Sequence, residues 1–160
     1  MNSFYVNKVF LMILLLLNST VFAKEITTVK NFSKDAKISL QQHKPIFLYV
    51  SSISCVYCKR LDKDVIGPML KSGDYEKKII MRKITLEDTD PIIDFNGKLV
   101  IPEDFLVDYK INATPTLLFL DHQGKQLSKP LEGYLSADLF WYYLDKAIDR
   151  SVEKLRAKSH

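Results

Sequence analysis

Residues 46–50 (Ile, Phe, Leu, Tyr, Val) form an unbroken apolar run between Pro45 and the serines at 51 and 52. Such a run suits a central strand covered on both faces, so the rest of the chain has to supply two covering layers. At the exit of that strand stands Ser54-Cys55-Val56-Tyr57-Cys58-Lys59, which holds both cysteines of the protein. From Lys59 onward, Leu61, Val65 and Met69 recur every fourth residue while Lys59, Arg60, Asp62, Lys63 and Asp64 face outward, the pattern of an amphipathic helix. Two thiols at a strand-to-helix junction form the arrangement of a dithiol–disulfide exchange site. A pair separated by two residues closes too short a loop to constrain the unfolded chain, so stabilisation is a poor reason for it.

The 160 residues suit one domain, and 47% hydrophobic with 26% charged residues exclude global disorder. The net charge of +4 is spread over scattered lysines, which argues against nucleic acid or a membrane surface as a partner. Residues 1–23 read as a secretory leader: Lys8, an apolar run from Val9 to Leu17, then Asn18-Ser19-Thr20 and Val21-Phe22-Ala23. That run falls well short of the roughly 20 residues needed to cross a bilayer as a helix. Cleavage after Ala23 is predicted, leaving one domain over 24–160. Export places the two thiols in an oxidising compartment, where a spare thiol pair does not persist unused.

Along the rest of the chain, Lys24 to Val29 reads as an edge strand and Lys34 to His43 as a helix capped by Ser33, with Ala36, Ile38 and Leu40 on its apolar face. Gly67-Pro68 is expected to end or kink the helix after the cysteines. Lys77 to Leu86 is a strand, and Asn96-Gly97 marks a hairpin within Ile92 to Ile101. Pro102-Glu103-Asp104 starts a helix reaching about Tyr109. Leu117 to Leu120 is a second buried strand, paired antiparallel with Lys125 to Leu131 across a turn at 121–124. Ser136 caps a last helix with Phe140, Tyr143, Leu144, Ala147, Ile148, Val152 and Leu155 on one stripe.

This order, with Cys55-Val56-Tyr57-Cys58-Lys59, then Ala113-Thr114-Pro115-Thr116-Leu117-Leu118-Phe119, then Gly133-Tyr134, resembles the thioredoxin-like family from about Lys24 to Ile148. Phe95-Asn96-Gly97-Lys98 and Leu131-Glu132-Gly133-Tyr134 are most similar to its exported members, the sulfur-oxidation-associated thioredoxins and periplasmic thiol–disulfide reductase domains. The resemblance implies an α/β thioredoxin-like fold, a central mixed sheet flanked by helices, with a small hairpin insertion before the third helix. It also implies that Pro115 is cis and packs against Cys55, and that Val56, Tyr57, Thr114 and Pro115 bind the substrate segment. The chain departs from cytosolic thioredoxins at Ser54, where they carry Trp, and at Tyr49, where they carry a buried Asp. Lys83 falls where their companion lysine lies.

Cys55 at the helix N-terminus is predicted to be the nucleophile, its thiolate favoured by unpaired backbone N–H groups and the helix dipole. Cys58, one turn on, is the resolving thiol. The expected function is that of an exported protein thiol–disulfide oxidoreductase, a monomer without cofactor or metal, reducing disulfides of periplasmic proteins and recharged by a membrane thiol–disulfide electron donor. The competing readings are a disulfide oxidase or isomerase and, from another class, a metal-binding module using the two thiolates.

Overall fold

The computed structural model describes residues 24–158, so the leader expected over residues 1–23 lies outside the described residues. Helix α1 (Phe32–Gln42) leads into β1 (Ile46–Ser51). Next comes a continuous helical run made of α2 (Val56–Leu61), a π-helical turn (Asp62–Ile66) and α3 (Gly67–Ser72). A short 3₁₀ turn (Tyr75–Lys77) precedes β2 (Ile80–Thr85). The hairpin β3 (Ile92–Ile93) and β4 (Leu99–Val100) is followed by α4 (Pro102–Val107), β5 (Thr116–Leu120), β6 (Leu131–Glu132) and the long α5 (Ala137–Ala157).

The main sheet has the order β2-β1-β5-β6. β1 runs parallel to β2, with Tyr49 opposite Lys83, and antiparallel to β5, with Ile46 opposite Leu120. All six residues of β1 and all five of β5 are buried. Their side chains alternate as strand geometry requires. Phe47, Tyr49, Leu117 and Phe119 join a core with Leu61, Val65, Met69, Leu144 and Ile148 of the helices on one face. Ile46, Leu48, Val50, Leu118 and Leu120 join a second core with Phe32, Phe105 and Leu106 on the other. Each such fully buried large side chain favours folding by about 1.5–3 kcal/mol relative to exposure. The result is the α/β mixed sheet flanked by helices that the sequence implied.

Several local expectations give way to specific contacts. Residues 24–29 form no strand. Thr28 makes a single parallel bridge to Lys83, through Val29 N–H to Lys83 O and Lys83 N–H to Thr27 O. The side chain that caps α1 is Asn31, which accepts from Lys34 N–H, not Ser33. α1 packs through Phe32, Asp35 and Ser39, while Leu40 points to solvent. Only Leu131–Glu132 of the expected return strand pairs with β5, apart from one bridge between Leu120 and Gln126. Ser136 occupies the cap position of α5 without a side-chain capping bond, and Tyr143 is exposed. The Asn96-Gly97 hairpin forms as expected, with Asp94 Oδ1 accepting from Asn96 N–H and Lys98 N–H and with Gly97 at φ 82°.

Candidate active site

The end of β1 delivers the chain to the site. Ser51 is the last residue of the buried strand, and Ser52–Ser54 turn over its edge before α2 begins. The turn is held by a neighbouring acid: Glu87, just after β2, accepts from Ile53 N–H at 3.0 Å and makes a short hydrogen bond with the Ser52 hydroxyl. The Ser52 hydroxyl, seconded by the Ile53 amide, holds the exposed Glu87 carboxyl below its usual range. Cys55 N–H then donates to Ser52 O at 3.2 Å.

Cys55 and Cys58 are joined in a disulfide with their Cα atoms 5.2 Å apart. Cys55 is the N-cap of α2, and its Sγ accepts from Cys58 N–H at 2.9 Å. A sulfur in that position meets one of the unpaired amides of the helix start, which favours negative charge on it. The two sulfurs differ in access. Cys55 is partly exposed and flanked by Val56 and Tyr57, which are 66% and 51% exposed, whereas Cys58 is 3% exposed.

The loop before β5 carries Thr114 and Pro115, joined by a cis peptide bond. Pro115 is buried and its carbonyl accepts from Gly133 N–H at 2.8 Å, which ties this loop to the end of β6. Beyond Gly133 an apolar groove of about 400 Å³ runs between β6 and α5, lined by Leu131, Tyr134, Leu135, Leu139, Phe140 and Tyr143. Arg60, two residues after Cys58, reaches the same corner: its guanidinium lies 5.8 Å from the centre of the Tyr134 ring and donates to Leu135 O. The side chain of Arg60 is thus engaged with this wall. A larger cavity, about 750 Å³, lies elsewhere, between the β3–β4 hairpin, α4 and the turn at Gly124.

Behind the cysteines, Tyr49 is fully buried and its hydroxyl donates to Cys58 O at 3.3 Å. Burial first, and the charge of Asp62 second, keep this phenol protonated well above its usual range. Lys83, opposite Tyr49 on β2, places Nζ 4.9 Å from the centre of the Tyr49 ring and 3.3 Å from Asp62 Oδ2. A carboxylate therefore does accompany Lys83, but it comes from the helix, not from the strand position that Tyr49 fills. Sequence reasoning placed Asp62 on the solvent face of the helix and gave no role to Glu87. The partners of both come from distant segments of chain, so local pattern held no signal for either.

Residues 32–148, most of the chain, match the family model described as a thioredoxin-like domain. The chain belongs to the thioredoxin-like domain family. The Cys-x-x-Cys disulfide at the strand-to-helix junction of this domain gives it the chemistry of a thiol–disulfide oxidoreductase. No curated protein matches the chain in sequence. Among solved structures, a DsbH oxidoreductase is similar with a TM-score of 0.58 at 17% identity, over 84% of this chain and 92% of that one. A putative disulphide-isomerase from Bacteroides thetaiotaomicron is similar with a TM-score of 0.55 at 22% identity, over 79% and 97%. At these identities the likeness is one of fold.

Proposed function

We propose that this thioredoxin-like domain is exported to the periplasm and reduces disulfides of other proteins, acting as a monomer. The observation that carries the reading is the unequal access of the two sulfurs: Cys55 is partly exposed at the head of α2 and Cys58 is buried behind it. In the dithiol form, the Cys55 thiolate attacks one sulfur of a substrate disulfide, and the other substrate sulfur leaves as a thiolate and takes a proton. The Cys58 thiolate then attacks Cys55 Sγ, breaking the mixed disulfide. The substrate departs with both sulfurs reduced, and two electrons have passed from the protein, which now holds the Cys55–Cys58 disulfide.

In this reading Val56 and Tyr57, between the two cysteines, and Thr114 and Pro115, at the cis bond before β5, hold the substrate segment. The exposed apolar side chains of Val56 and Tyr57, and those of Leu135 and Leu139 in the groove beyond Gly133, suit a polypeptide better than a small charged disulfide. Export rests on the leader in residues 1–23. A reductant in an oxidising compartment has to be recharged, which calls for a membrane thiol–disulfide donor.

The test is reduction of insulin disulfides by the chain lacking residues 1–23, together with its reduction potential. Activity that Cys55→Ser abolishes, at a potential near the thioredoxin value of about −270 mV, supports the reductant. A potential near about −120 mV would instead make the domain an oxidant. Equal insulin reduction by Cys55→Ser would remove the nucleophile assignment.

A further inference from the structure

β1 and β2 run side by side to their last residues, where Ser51 stands opposite Thr85. The two hydroxyls lie 3.4 Å apart, and Leu86 N–H donates to Ser51 O at 2.9 Å. Past that point both segments leave the sheet, yet they stay joined through the Glu87 side chain. Asp88 N–H closes a turn onto Thr85 O at 3.1 Å, which fixes the backbone that carries Glu87. One carboxylate oxygen of Glu87 meets the Ser52 hydroxyl and the other meets Ile53 N–H.

The turn clamped in this way ends at Cys55. The Cys55 N–H donates to Ser52 O, and the Cys55 backbone is extended, at φ −75° and ψ 104°. A cap side chain meets the amides of the next turn from such a backbone, whereas in a helical residue the Cα–Cβ bond tilts back toward the helix start. The extended backbone thus lets Cys55 Sγ accept from Cys58 N–H, the contact that favours a thiolate. Ile53 and Ser54 are exposed, so hydrogen bonds rather than packing hold the turn. The bonds of Glu87 use neither sulfur and do not depend on the disulfide.

We propose that Glu87 is a positioning residue for Cys55: by clamping the Ser52–Ile53 turn it keeps Cys55 at the helix cap and so sets the speed at which its thiolate attacks. The inference rests on the oxidoreductase reading above. The negative charge of Glu87 by itself opposes a thiolate nearby, but this carboxylate is exposed and bound by two donors, which screens it. Of the other charged groups around the turn, Arg60 is engaged with Leu135 O and the Tyr134 ring, Asp62 with Lys83, and Asp64 with the Tyr134 hydroxyl. Lys59 is exposed just after Cys58, and Asp88 borders the cleft beside Asp62 and Lys83.

The test measures alkylation by iodoacetamide across a range of pH in a Cys58→Ala background, which leaves Cys55 as the one thiol and keeps the backbone amide at 58. Glu87→Ala is expected to slow alkylation at neutral pH about tenfold, within the range that loss of an N-cap contact carries, and to move the pH midpoint upward. Glu87→Gln, whose amide can still bond both Ser52 and Ile53, is expected to restore the rate and midpoint. Ser52→Ala removes one of the two bonds, is expected to slow alkylation by a smaller factor, and serves where Glu87→Ala does not fold. Unchanged rates in Glu87→Ala and Ser52→Ala would overturn the proposal. Faster alkylation in both Glu87 variants would also overturn it, because charge and not positioning would then decide. Wild-type protein that fails to reduce insulin while the variants alkylate as expected would overturn the oxidoreductase reading alone.

Discussion

The hydroxyl of Tyr134 donates a 2.8 Å hydrogen bond to Oδ2 of Asp64, joining the corner between β6 and α5 to the helical run that carries the cysteines. Tyr134 is 3% exposed, and Arg60 lies over its ring. Tyr134→Phe keeps the ring and removes the bond to a charged acceptor. The expected loss is about 1.5 kcal/mol of stability, read as a lower urea midpoint at unchanged slope.

Cys58→Ala removes the resolving thiol and leaves the accessible one. The variant is expected to accumulate a covalent complex with insulin chains on a non-reducing gel, dispersed by dithiothreitol. Cys55→Ala is expected to form none. Trapping by Cys55→Ala and not by Cys58→Ala would reverse the assignment of nucleophile and resolver.

Asp35 of α1 is 4% exposed and is held by Arg82 of β2 through two bonds, 2.9 Å from Nε and 2.5 Å from Nη2. Arg82→Met leaves a buried carboxylate without its partner, a change that costs about 3–5 kcal/mol. The double variant Asp35→Leu with Arg82→Met is expected to recover most of that loss. Thermal unfolding of the two variants beside the wild type measures both effects.

Asp121, after β5, sets the acid limit. Burial alone would raise its carboxyl, but the Lys158 ammonium and the Lys125 and Gln123 amides outweigh burial and hold it below the ordinary value of 3.8. A depressed folded-state value stabilises the fold above the unfolded-state value, and that contribution is lost as pH falls through the folded-state value. Stability is thus expected to drop below about pH 4. Asp121→Asn is expected to flatten this acid slope in denaturation curves taken at successive pH values.

The parts of the fold that sequence made legible are those written by neighbouring residues. An apolar run at 46–50 has one sensible placement, Asn96-Gly97 has one sensible turn, and Leu61, Val65 and Met69 are all fully buried as their spacing implied. The cysteine pair likewise announces its place because strand, motif and helix are consecutive. What escaped depends on the meeting of distant segments. Pro68 reads locally as a stop, yet a single π turn lets the helix pass it and continue to Ser72. Asp62 lies among outward-facing charges in sequence, and its partner, Lys83, arrives only on a neighbouring strand. Tyr143 fits the apolar stripe of α5 by spacing, but it is exposed and lines the open groove.

The antiparallel register of β1 and β5, Ile46 opposite Leu120, puts Asp121 beside the start of β1, while the cysteines lie past its end. Lys158, one residue past α5, is fastened to Asp121 at 3.0 Å. The helix therefore finishes at the pole of the molecule opposite the reactive sulfurs. A fluorophore, affinity handle or surface linkage attached after Lys158 points away from incoming polypeptides, so immobilised protein keeps its dithiol face turned outward.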